Sequence, residues 1–80
     1  MSREPRTFVA LGFESTHDAL DAEGLLGDVG IEVVPMPSPT ALGARCGIAL
    51  RLEPADEPRA LEYLARAGIA VAGRADIKDV

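Results

Sequence analysis

Cys46 is the one cysteine in this sequence and its one strong, soft nucleophile near neutral pH. It ends the long loop that begins at Pro35, follows the fixed positive charge of Arg45, and precedes Gly47. Gly43 and Gly47 let the backbone come close to a ligand or bound anion. Ser15, Thr16 and His17 are the other candidates, because they open a helix whose free N–H groups favour a thiolate over a thiol. Two readings of Cys46 stand side by side. It is either an activated thiol on a rim or, sharing strand parity with Ile48, Leu50 and Leu52, a small core residue. His17 is read first as an exposed first-turn residue, and Arg45 as a solvated loop charge unless the thiol needs it.

Other chemistry finds little footing. One Cys and one His fall short of a metal-ligand set, so no metal is expected. Gly24, Gly27 and Gly30 lie within and after a helix rather than before one, so they form no phosphate cradle, and no cofactor is expected. The carboxylates fall on polar helix faces and yield no acid–base pair.

An internal repeat supplies the elements that must position Cys46. At an offset of 38 residues, Leu26–Val33 lies over Leu64–Val71, and Phe8–Phe13 over Cys46–Arg51. Each half reads as strand, helix, strand. Phe8–Phe13 is a short apolar strand ended by a Glu-Ser-Thr turn. Ser15 and Asp18 resemble a capping box, and the helix they open carries the stripe Ala19, Ala22, Leu25, Leu26, Val29 before Gly30 stops it. In the second half Asp56 caps a helix with Pro58 in its first turn; Leu61, Leu64, Ala65 and Ala67 form its buried side, and Gly68 ends it. Strands are expected at Ile31–Val34 and Ile69–Ala72, with residues 73–80 as a polar, partly extended tail.

Two βαβ copies in a single 80-residue domain predict an α+β, ferredoxin-like split βαβ sandwich (βαββαβ), with two helices on one face of a four-stranded antiparallel sheet. In strand order 4-1-3-2 the end of the first strand lies beside the start of the third. Ser15, Thr16 and His17 then share a rim with Cys46. The loop at 35–45 is longer than a usual hairpin connection, as loops that carry function often are.

The formal charge of −5, the absence of a Lys/Arg cluster and the two Phe and one Tyr argue against nucleic acid or anionic lipid as partners. No apolar run is long enough to span a membrane, and the N-terminus lacks the apolar stretch of a signal peptide. With a lone cysteine, this predicts a cytoplasmic protein. Alternation turns Phe8, Ala10, Gly12, Val34, Gly47, Ala49 and Arg51 away from the helices; that face is small and apolar, which predicts a homodimer through sheet faces or edges.

Phe13–Glu23, Gly30-Ile31, Pro37-Ser38-Pro39 and Cys46–Leu50 together resemble a bacterial family of selenium/sulfur carrier protein-like chains. The resemblance runs from about Phe8 to Val71, and its most specific parts are Ser15-Thr16-His17-x-Ala19 and Cys46-Gly47. Arg45 departs from the small or polar residue expected before Cys-Gly, a change that bears on anion affinity and partner choice. The resemblance implies a carrier that holds a persulfide or selenopersulfide on Cys46 and passes it from a donor protein to an acceptor. Ser15 and Thr16 would hydrogen-bond the outer atom, and Gly47 would leave room for a partner's active site. Such a protein transfers rather than transforms, so enzyme status stays open. The alternative is a non-catalytic ferredoxin-like interaction or regulatory module in which Cys46 is a structural thiol.

Overall fold

The computed structural model describes residues 6–38 and 47–79. The chain runs β1 (Arg6–Gly12), α1 (Thr16–Asp28), β2 (Val33–Pro37), β3 (Ile48–Leu52), a 3₁₀ turn (Pro54–Asp56), α2 (Glu57–Arg66) and β4 (Gly73–Asp79). The four strands form one antiparallel sheet in the order β2-β3-β1-β4, and the fold is α+β and ferredoxin-like as expected. Pro35, Met36 and Pro37, expected to open the loop, belong instead to β2, and residues 39–46, with Arg45 and Cys46, lie outside the described residues.

The core forms where the apolar stripes of the helices meet one sheet face. Val9 and Leu11 of β1, Leu50 and Leu52 of β3, Ala19, Ala22 and Leu26 of α1, and Ala60 and Leu64 of α2 are all buried there, with Phe13 and Ile31. The expected α1 stripe is observed. The expected α2 stripe is rotated: Ala60 and Leu64 are buried and Tyr63 packs against them, while Leu61, Ala65 and Ala67 are exposed. Leu61 and Ala65 stand about 100° further round the helix from Ala60 and Leu64, far enough to clear the sheet.

Both helices end alike, and the way they end corrects two strand assignments. Gly30 and Gly68 take positive φ, 83° and 75°. Each is followed by an isoleucine whose N–H returns to the helix, Ile31 to Leu26 and Ile69 to Leu64, both at 2.9 Å. Gly30 N also reaches Gly27 O at 3.1 Å, and Gly68 N reaches Ala65 O at 3.2 Å, which completes a Schellman motif at each end. The isoleucine N–H is thus spent on the helix and cannot join a sheet ladder. The strand expected at Ile31–Val34 therefore starts only at Val33, and the one expected at Ile69–Ala72 does not form; the last strand begins at Gly73. Residues 73–79, read from sequence as a polar tail, are β4.

Two small buried residues centre the second face of the sheet. Ala10 and Ala49 are buried there, with Met36, Ala75 and Ile77 packed around them, and Arg51 lies over the Phe8 ring at 4.4 Å. The face is apolar as expected, with β2 and β4 contributing to it.

Candidate functional site

The register of the sheet fixes one end of the molecule. Gly12, the last residue of β1, lies opposite Ala49 near the start of β3 and opposite Gly73 at the start of β4. Ala72 N donates to Gly12 O at 2.8 Å, and Pro37, the last residue of β2, faces Ile48. Phe13-Glu14-Ser15 then carries the chain over this end into α1. The end of the first strand, the start of the third and the N-terminus of the first helix share one rim, as the topology predicts.

Ser15 caps α1. Its backbone is extended, and its Oγ accepts the N–H of Asp18 at 3.1 Å, satisfying a donor that the first helical turn would otherwise leave to water. Thr16 is the first helical residue and is exposed. His17 is exposed and turns along the helix, its Nδ1 3.4 Å from Asp21 Oδ2. His17, Asp18 and Asp21 bring one potential ligand atom each to within 4.8 Å of one another. Among the described residues this is the one such group, and it is a solvated i,i+4 arrangement on an outer helical turn.

Gly47 meets the other side of the rim. Its carbonyl accepts the Ser38 N–H at 3.0 Å, extending the β2–β3 pairing to the residue after Cys46. Among the described residues, a Cβ built on Gly47 would touch nothing within 4 Å. Ser38, beside it, was not singled out from sequence as a site residue. Its Oγ is buried with no hydrogen-bond partner among the described residues, an unusual condition for a hydroxyl that costs stability unless a group comes to meet it. The signal available in the sequence was its place between Pro37 and Pro39, which hold it extended against the strand that follows Cys46.

The arrangement brings Ser15, Thr16 and Gly47 to the same end of the fold, directs His17 towards Asp21, and adds Ser38; Arg45 and Cys46 lie outside the described residues. No helix among the described residues is long and apolar enough to cross a membrane. Fold and rim together define a small ferredoxin-like domain whose sheet and first helix converge on the chain flanking a single cysteine. The chain belongs to the family described as putative Se/S carrier protein-like, whose sequence model matches residues 9–74. No curated protein and no solved structure matches it.

Proposed function

We propose that this protein carries sulfur or selenium on Cys46 between a donor and an acceptor protein in the cytoplasm. The observation that carries the reading is the family match across residues 9–74, which contains Cys46, on a fold that starts α1 at the end of the sheet where β3 leaves Cys46-Gly47. The Cys46 thiolate attacks the outer sulfur of a donor persulfide. The donor's S–S bond breaks and its inner sulfur leaves as a thiolate, so Cys46 becomes a persulfide with no net oxidation. A selenopersulfide donor delivers selenium by the same exchange. The positive end of α1 and Arg45 favour the thiolate; Ser15 and Thr16 offer hydroxyls to the terminal atom, and Gly47 leaves space for the partner. His17 is left to solvent and Asp21.

Intact-mass measurement after incubation with a small-molecule persulfide should show one added sulfur in the wild type and none in Cys46→Ser, with the fold retained. Thr16→Val should slow loading while leaving the melting temperature unchanged. A Cys46→Ser variant that unfolds, beside a wild type that never gains sulfur, would instead assign Cys46 to the core and favour the non-catalytic module.

A further inference from the structure

The sheet has two edges, and the sequence treats them oppositely. β2 carries Pro35 and Pro37. Ser38, of the other parity, points its N–H inwards to Gly47, so the two prolines occupy the positions whose N–H would point outwards. That edge has lost the donors a new strand would need. β4 is the other outer strand, seven residues without proline, and among the described residues it pairs with β1 alone.

β4 also carries its own complement. Arg74, Asp76 and Lys78 alternate in sign on one face, and Ala75 and Ile77 line the other. Arg74 is already held by Glu57 of α2 and by Asp76, whereas Lys78 has no ion pair among the described residues. If two β4 strands overlapped fully, Asp76 would face Asp76, and Arg74 would face Lys78, a repulsive register. Centring the pair on Ile77 removes the conflict. Asp76 then faces Lys78 of the second copy, twice by symmetry, and Ile77 faces Ile77. Since Ile77 already lies opposite Phe8, the outer face gains a continuous apolar row of Phe8, Ile77, Ile77 and Phe8.

We propose that β4 is a homodimer interface, pairing antiparallel with β4 of a second copy about Ile77 to make one eight-stranded sheet. The symmetry is isologous, so the same edge serves both copies and the assembly closes at two. The prolines of β2 keep it from growing into a fibre at the far edges. The proposal stands independently of the carrier reading.

Sedimentation equilibrium across a concentration series tests it. The wild type should dimerise. Lys78→Glu, which places Glu opposite Asp76 at both symmetric positions, should weaken the dimer by about tenfold or more. The exchange Asp76→Lys with Lys78→Asp should restore it, because only a register that sets residue 76 against residue 78 keeps its charge pairs after the swap. In a Cys46→Ser background, Ile77→Cys should form a disulfide-linked dimer on mild oxidation. A wild type that remains monomeric to high micromolar concentration overturns the proposal, as does a dimer indifferent to Lys78→Glu or one that the exchange fails to rescue.

Discussion

The two halves of the chain coincide over their helices and part company on either side. At the repeat offset, residues 16–28 fall on residues 54–66, the span of α1 on the span of the 3₁₀ turn plus α2. Both helices end in the same glycine, the same returning isoleucine and the same pair of backbone bonds. Their beginnings differ. A serine side chain caps α1, while the second helix opens on Pro54 through a 3₁₀ turn and has no side-chain cap bond. Because β1 and β3 are antiparallel, these two beginnings lie at opposite ends of the sheet. The half that presents a satisfied, polar helix start does so beside the chain flanking Cys46. The other half invests in an edge strand and ties it down, with Arg74 gripping Glu57 through both carboxylate oxygens. Glu57 thereby holds the Arg74 guanidinium protonated still more firmly than usual.

The isoleucine after each helix is where the halves should separate most in stability. Ile31 is fully buried against the core, whereas Ile69 is half-buried and borders an open apolar hollow with Leu61, Leu64 and Val71. Ile31→Ala should cost about 3 kcal/mol, a cavity-forming change, and Ile69→Ala about 1 kcal/mol, because its site is already partly wet. Urea unfolding of the two variants checks this. Equal losses would mean that the hollow closes in solution and that the halves are more alike than their burial indicates.

Much of this division was legible in the sequence, since apolar spacing and the glycines named both helices, the strand order and the shared rim. Hydrogen-bond competition hid the rest. Ile31 and Ile69 look like strand openers in any apolar pattern, but their N–H groups belong to the preceding helix. β4 passed for a tail because its Arg74, Asp76 and Lys78 are charged on the helix side, where a strand covered by helices would be apolar; the period-2 alternation with Ala75 and Ile77 was the signal. Ser38 reads in the sequence as part of a Pro-containing loop rather than as a site residue, and only the fold buries its oxygen.

The cap glycines should behave alike even where the residues after them do not. An added Cβ at Gly30 or Gly68 meets nothing within 4 Å, so only the left-handed backbone penalises a side chain there. Gly30→Ala and Gly68→Ala should each cost about 1–2 kcal/mol, equal within error by thermal or urea unfolding. A markedly smaller cost at Gly68 would show that α2 frays at its end in solution and that its isoleucine bond is the weaker of the two.

The smallest expected effects lie at the helix starts and bear most directly on the rim. Ser15 Oγ accepts the Asp18 N–H, so Ser15→Ala should cost about 1 kcal/mol of stability. Asp56 stands at the corresponding start of α2 without a side-chain cap bond, so Asp56→Ala should cost only about 0.3 kcal/mol, the lost attraction of a carboxylate for a helix N-terminus. The two variants also separate a structural from a functional role for the rim. If the N-terminus of α1 helps hold Cys46 as a thiolate, loosening its first turn should raise the thiol pKa read from the pH dependence of alkylation, and should slow persulfide loading in proportion. Asp56→Ala, at the far end of the sheet, should leave both readouts unchanged. A Ser15→Ala variant that loses stability yet keeps the wild-type alkylation profile would confine Ser15 to capping and leave Arg45 and the backbone around Gly47 to activate the sulfur.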